Sequence, residues 1–501
     1  MPNQLLFRRQ FVLGRQPVKM EGWNHFSLAG DLALSSHPDL NVVSHTDEKS
    51  SATLLGYMLD AYHPEYSDKD ILCSLPLQTP DIDVLVRSTR CLSGRWLLIC
   101  HNESFHIILT DAGSCRDLYF TTHKGSTWCA SQPHLLSKHL DIPFWEDESI
   151  TGYFELENLK ANNYKWTTNY SPYKDVYRLL PNHCLDLKTA KSLRYSQDIP
   201  SGLIPLHRVI EENCHILSNT IKAANNRYDL ILGCTAGYDS RVLLAACRDI
   251  AQDLFFYVYQ YNRMGADHPD ISVPERMFRE LGIPFHIIPE TDIPDESFTS
   301  AFAQNTLIPR FPVLPVVYHQ YKHFPQSVNV SENILSIIKV AYQRSDNYDA
   351  RAFATLCHQP HHEFILDWLS DWIADIRRSF PMDRINLTDL YYWEVHLANL
   401  VGTGSTEQDI AIEELSPSNS RAFLLNCFSV HPDYHTEPYS YVFHDKMISH
   451  MWKELLSYPI NPDRMSRLTD LLRKRNLLFR TMAVNTRLKH YRRQLYAGIS
   501  R

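Results

Sequence analysis

The chain has 501 residues, a formal charge of −8 and the composition of a water-soluble globular protein. That length suits two or three domains, and the acidic balance argues against nucleic acid as the default partner. No apolar run is long enough to span a bilayer. The opening MPNQLLFRRQFVLGRQ lacks the form of a secretory leader, and eleven scattered cysteines without a CxxC pair read as reduced thiols, so a cytoplasmic protein is expected.

Residues 1 to about 190 read as β-rich. Trp96–Cys100, His106–Leu109 and Asp117–Phe120 are short apolar or alternating runs, separated by turn residues such as Asn102-Glu103 and Lys124-Gly125. Their spacing of roughly ten residues predicts layered antiparallel sheets. Gly94-Arg95-Trp96, Asp111-Ala112-Gly113, Asp117-Leu118-Tyr119-Phe120 and Trp128-Cys129-Ala130-Ser131 follow one another, and Leu180–Leu185 closes the region. This succession resembles the N-terminal glutaminase-type half of asparagine synthetases. The resemblance implies an α+β, Ntn-type antiparallel sandwich over residues 1–190. That glutaminase needs a cysteine directly after the initiator Met, so that the freed amine can act as base to the thiol. Pro2 stands there, and the first cysteine is Cys73. The half is therefore expected to be a degenerate glutaminase, as in the β-lactam synthetase and lasso-peptide cyclase relatives.

Residues 191–205, with Ser196, Pro200, Ser201, Gly202 and Pro205, read as a linker. Leu206, Val209, Ile210, Cys214, Leu217 and Ile221 then fall at helical spacing over 206–225. Leu230–Leu232, Leu254–Tyr259 and Phe285–Ile288 read as strands, and Val242–Ala246 and Pro274–Leu281 as helices. The alternation predicts an α/β doubly wound parallel sheet within residues 206–501.

Between the first of these strands and its helix lies Thr235-Ala236-Gly237-Tyr238-Asp239-Ser240. A turn entering a helix N-terminus offers free N–H groups and the positive end of the dipole, which suits phosphate. The acid at 239 suggests a bridging divalent cation. The stretch is not a Walker loop. It resembles the Ser-Gly-Gly-x-Asp-Ser loop of the ATP pyrophosphatases, which implies an adenine-nucleotide α-hydrolase-like synthetase domain using ATP and Mg2+. By that resemblance Thr235, Ala236, Gly237, Tyr238, Asp239 and Ser240 hold pyrophosphate. Asp239 also ligates magnesium, and Tyr259 (with Gln260 and Tyr261) lies where adenine is received. Asp267 and Asp270 are either solvated charges or positioning groups for ribose or metal.

The family's second phosphate element, roughly Leu-Ser-Gly-x-Gly-x-Asp-Glu with Gly-Tyr beyond, aligns with Val330–Ile337 and Ala341-Tyr342. Ser331 and Tyr342 fit. Both glycines are gone, and Ser336 and Ile337 replace the acids, so the second magnesium ligand is missing unless Glu332 or a distant aspartate substitutes.

Thr388–Asn399 reads as a helix and Gly402–Glu407 as a flexible turn. Glu394, Glu407 and Glu413 are candidates for the base that frees an amine nucleophile. Cys357, His358, His361 and His362 have zinc-like spacing, but Pro360 interrupts them and a surface histidine cluster is the favoured reading. The basic tail from Arg467 to Arg501 is a solvated helix, a docking patch or a cationic lid in which Lys474 stabilises pyrophosphate.

The resemblance implies an ATP-dependent amide-bond-forming ligase that activates a small-molecule or peptide carboxylate as an acyl-adenylate. An amine substrate, not glutamine-derived ammonia, then displaces AMP. No nucleic acid or membrane span is expected, while a homo-oligomer or pathway partner stays open. Two alternatives remain: a non-catalytic scaffold that kept the fold, and a sulfur- or nitrogen-transfer enzyme acting on a nucleic-acid base.

Overall fold

The computed structural model describes residues 4–156, 166–195, 199, 202–260, 264–289, 292–339, 348–357, 359–435 and 441–462. In the N-terminal half, β1 (Phe11–Gly14), β2 (Asn24–Leu28), β3 (Leu32–Ser36), β8 (Tyr119–His123), β9 (Ser126–Ala130) and β10 (Tyr177–Arg178) form one six-stranded sheet. The second contains β4 (Val42–Thr46), β5 (Ser51–Asp60), β6 (Leu92–His101), β7 (His106–Thr110), β11 (His183–Asp186) and β12 (Lys191–Arg194). The strand pairs are antiparallel.

Alternation along the strands stacks the two sheets. Leu13, Leu34, Phe120 and Cys129 of the first meet Leu55, Leu97, Ile99, Ile108 and Leu185 of the second. The other faces are covered by helices. Leu54, Leu98 and Leu109 pack on Ile71, Leu72 and Leu85 of two short helices, and Val12 and Ala130 pack on Leu135 and Leu136 of Pro133–Leu140. The expected antiparallel sandwich is present, in four layers: helix, sheet, sheet, helix. Residues 191–194, read as the start of a linker, instead form β12 on its edge.

The C-terminal half is built on five parallel strands: β13 (Leu230–Gly233), β14 (Phe255–Tyr259), β15 (Phe285–Ile288), β16 (Val328–Val330) and β17 (Glu413–Leu415). They lie side by side as β15-β14-β13-β16-β17. Helices α1 (Leu206–Asn225), α2 (Tyr238–Ala246) and α3 (Pro269–Leu281) cover one face, against Leu230, Leu232, Phe256 and Val330. Helices α4 (Glu296–Asn305) and α5 (Leu314–His323) cover the other, against Ile231, Tyr257 and Ile288. The sheet is thus doubly wound, as expected. Its order reverses between β13 and β16, and in such sheets the crevice beyond the carboxyl ends at the reversal is where ligands bind.

The halves are locked together by buried charge. Arg95 of β6 makes a two-pronged ion pair with Asp409 and bonds Glu413 at 3.1 Å, and Arg116 bonds Glu413 at 2.7 Å. Arg8 donates to the carbonyl of Ile410 at 3.0 Å and Arg9 to that of Asp409 at 2.6 Å. Gly94 is required beside this joint: its φ is +99°, and a Cβ would meet the Tyr57 carbonyl at 2.3 Å.

Gly402–Glu407 is not a flexible turn. Helical backbone runs through Leu387–Tyr391, a π-helical stretch Tyr392–Gly402 and Thr403–Gln408, and Ser405, Thr406 and Glu407 are buried. The glycine serves close packing: a Cβ at Gly402 would lie 2.7 Å from the Ser114 carbonyl and 2.8 Å from Asp117.

Candidate functional site

Strand β13 ends at the reversal of the sheet, and the six residues that follow lead straight into α2. Two things hold this turn. On the core side, Val242, Leu243, Leu244 and Ala245 are buried, each worth about 1–3 kcal/mol in apolar area removed from water. On the other, the fully buried Arg241 donates to the carbonyls of Leu455, at 2.7 Å, and Pro459, at 3.2 Å. The Asn461 N–H then donates to the Ala236 carbonyl at 3.0 Å, so residues 455–461 run along the loop.

Within the turn, Ser240 Oγ lies 3.2 Å from the Thr235 nitrogen and 3.3 Å from Thr235 Oγ1, closing a small ring of polar atoms. Gly237 is the N-cap, with φ −79° and ψ 167°. A Cβ there would meet nothing nearer than Thr235 Oγ1 at 3.4 Å. Neither backbone strain nor protein neighbours demand glycine here. The position leaves the loop open to close approach, and glycine is itself a fair N-cap.

Asp239, the expected metal ligand, is engaged at both oxygens. Oδ2 lies 2.5 Å from Lys339 Nζ, and Oδ1 accepts from His444 Nε2 at 3.0 Å. Burial alone would raise its pKa, but the bonds from His444 and Lys339 outweigh that and hold it below the ordinary value. His444 is fully buried, which lowers its own pKa and keeps the ring neutral, so the ring donates Nε2–H to the carboxylate. Tyr238 stacks on Tyr441 at 4.3 Å beside it. Asp270, in the first turn of α3, accepts from the Ala236 N–H at 3.0 Å. It thereby occupies one donor that a phosphate would use.

Across the reversal, β16 delivers Ser331 and Glu332. The Ser331 N–H donates to the Leu415 carbonyl. Glu332 Oε1 accepts from Ser418 at 2.6 Å and from the N–H groups of Ile334 and Leu335 at 3.1 and 3.0 Å. Its Oε2 is buried and has no partner among the described residues. Burial, helped by the nearby charge of Asp239, raises this carboxyl to about 7. The sequence offered Glu332 only as a substitute ligand. Its unusual state comes from tertiary burial.

The other expected residues fall elsewhere. Glu394 is completely buried, ion-paired to Arg194 and bonded by Trp372 Nε1 at 3.0 Å and Asn182 at 3.0 Å. Glu413 belongs to the joint with Arg95 and Arg116. Glu407 bonds Arg310 at 2.7 Å. Each of the three has arginine as its partner: at Glu413 the charges of Arg116 and Arg95 outweigh burial and hold the carboxyl low, while at Glu407 burial raises it in spite of Arg310. Tyr259 is buried on the α5 face, its ring 5.5 Å from that of His319. It packs in the core there, where adenine was expected. His361 bonds Thr355 Oγ1 at 2.7 Å, and His362 stands at the N-cap position of the helix Glu363–Ser379 without a side-chain capping bond. Pro2, Tyr261, Ala341, Tyr342, His358 and the tail with Lys474 lie outside the described residues.

These residues offer magnesium little of their own. It takes oxygen ligands in a near-octahedral shell, filled largely by water and phosphate oxygens. Asp239 is already paired with a lysine and held by a histidine, Asp270 is taken up by the Ala236 N–H, and Ser336 brings no charge where the second acid was expected. A phosphate or other anion fits better: the loop has the N-terminus of α2, hydroxyls at 235 and 240, and an ammonium group beside them.

No protein-family model matches the chain, and no curated protein does. Solved structures match only distantly. An NH3-dependent NAD synthetase from Campylobacter jejuni, in complex with nitrate, shares 13% identity over 41% of this chain and 96% of its own, with a TM-score of 0.22. A glutamine phosphoribosylpyrophosphate amidotransferase from B. subtilis, complexed with ADP and GMP, shares 10% over 66% of this chain and 70% of its own, at 0.24. A structure described as the allosteric regulatory enzyme of purine biosynthesis shares 11% over 58% and 71%, at 0.25. Likenesses at this distance carry no reaction with them.

Proposed function

We propose that this protein is a nucleotide-dependent, amide-bond-forming ligase of the asparagine synthetase-like kind, without glutaminase activity. The observation that carries the reading is the position of residues 235–240: a polar turn entering a helix N-terminus, at the carboxyl end of β13, where the strand order reverses. In this reading the loop holds the β- and γ-phosphates of ATP. A substrate carboxylate oxygen attacks the α-phosphorus, the bond to the β-phosphate oxygen breaks, and pyrophosphate leaves. An amine then attacks the acyl carbon of the adenylate, AMP departs, and one amine proton is lost. Glu332 is the carboxylate best suited to take that proton, with an Oε2 that has no partner among the described residues and a pKa near the working range. Positioning and fixed charge supply most of the rate.

The test needs no knowledge of the acceptor. ATP is titrated calorimetrically into the full chain and into Gly237→Val, with melting temperature as the folding control. Binding that the valine abolishes supports the reading, and a well-folded protein that binds no ATP rejects it. A second reading has its own observation: the occupation of Asp239 by Lys339 and His444 and of the Ala236 N–H by Asp270 suits a binding protein that kept the fold and lost the chemistry. ATP binding without AMP release, across a panel of carboxylates and amines, favours that reading.

A further inference from the structure

Lys339 follows the short 3-10 helix Leu335–Ile338 beyond β16, on the far side of the sheet's reversal from the loop. The fold carries it back across the crevice, and its ammonium lands on Asp239, one hundred residues away in sequence. We propose that Lys339 is a built-in cation of the polyphosphate site, so that the loop binds its anion without a divalent metal.

The inference rests on the phosphate reading above and deepens it, and four observations support it. The position expected to supply a second acid is Ser336, and Glu332 beside it uses Oε1 on Ser418 and two backbone N–H groups and is pushed by burial toward its protonated form, a poor ligand for a hard cation. Both oxygens of Asp239 are already engaged, one by His444 and one by Lys339. An ion placed between Asp239 and a phosphate would have to expel the ammonium and then sit beside it, two like charges at close range. And the Lys339 side chain is 25% exposed, with Asp239 28% exposed, so the pair lies open to solvent at the crevice. A lysine ammonium has three donors. One serves Asp239 Oδ2, and the other two, unengaged among the described residues, are left for phosphate oxygens. Asp239 then acts as a positioning residue. It fixes the end of a long flexible side chain and, with His444 behind it, sets the height of the ammonium above the helix N-terminus.

The experiment titrates the full chain with inorganic pyrophosphate and with ATP, each in EDTA and in magnesium. The expected result is metal-free binding within about threefold of the affinity in magnesium, lost by about tenfold or more in Lys339→Met and largely kept in Lys339→Arg. Removing only the lysine leaves Asp239 half-buried beside a neutral histidine, so the double variant Lys339→Met/Asp239→Asn is included. It removes both charges and should also bind metal-free pyrophosphate weakly. A wild-type requirement for magnesium overturns the inference but leaves the nucleotide reading standing. So does a well-folded Lys339→Met that binds metal-free pyrophosphate as tightly as wild type. Absence of binding by either anion in either buffer overturns both.

Discussion

Arg95 and Asp409 sit where water does not reach, their side chains 2% and 3% exposed, while Asp239 and Lys339 are each about a quarter exposed beside a fully buried His444. Both clusters join residues far apart in sequence. The first is saturated: Asp409 receives two guanidinium nitrogens, and Glu413 bonds Arg95 and Arg116. The second is not. His444 Nδ1 and, close by, Glu332 Oε2 are buried without partners among the described residues. Buried polar groups are almost always satisfied by protein or water, so these two atoms are open to a further partner. The saturated cluster holds the halves together; under the proposed function the unsaturated one is where the anion binds.

The sharpest way to break that contrast is at the joint. Asp409→Ala takes from Arg95 its two-pronged partner in a dry environment, leaving Glu413 as the remaining acid, and is expected to cost about 3–5 kcal/mol, read by chemical denaturation. A change below 1 kcal/mol would show that the joint is not a structural clamp. Glu394→Ala is expected to cost about 3 kcal/mol, by leaving Trp372 Nε1 without its acceptor and Arg194 with Asp375 alone. Pyrophosphate affinity should be unchanged in whatever fraction stays folded. A loss of turnover without loss of stability would instead return Glu394 to the role of base.

Glu332 sharpens the comparison through pH. Its carboxyl titrates at about 7 in the folded protein against an ordinary 4.5, so the folded state keeps a proton that the unfolded chain has released. Stability from this group is therefore full at low pH and falls as pH rises through that window. Glu332→Gln should raise stability at pH 8 by on the order of 2 kcal/mol relative to wild type, and by much less at pH 5. Equal effects at both values would mean the group is an ordinary carboxylate. The smallest expected effect is at Asp270. Its removal in Asp270→Ala frees the Ala236 N–H and should tighten pyrophosphate binding about threefold to tenfold. Weaker binding would mean that Asp270 supports the loop and does not compete for it.

The sequence revealed what depends on short-range pattern. The spacing of Val209, Ile210, Cys214, Leu217 and Ile221 predicted α1 over the residues that form it, and apolar runs placed β13, β14 and β15 to within a residue. The six-residue loop was legible because its chemistry is contiguous. Tertiary context decided the rest. Gly402 and Gly404 read as a turn, yet they mark where a helix approaches Ser114 and Arg310 closely. Pro274 read as a helix start, but α3 begins at Pro269, capped by His268. Glu394, Glu407 and Glu413 looked like free carboxylates because nothing local announces an arginine hundreds of residues away. Lys339 and His444 carried no signal at all. Their relation to Asp239 spans 100 and 205 positions and exists only once the sheet has formed.

The contacts of Arg8 and Arg9 with the carbonyls at 410 and 409 bear on how the chain is made. Their separations of 402 and 400 residues mean that the first strand's neighbours wait for a partner that has not yet been translated. At about 5–20 residues per second that interval is roughly 20–80 s. Throughout it, Arg8, Arg9 and Arg95 lack the C-terminal partners that will later cover them. Such a nascent chain is a natural client for chaperones. A ribosome-stalled series should show protection of the region around Arg95 only after residue 413 has cleared the exit tunnel.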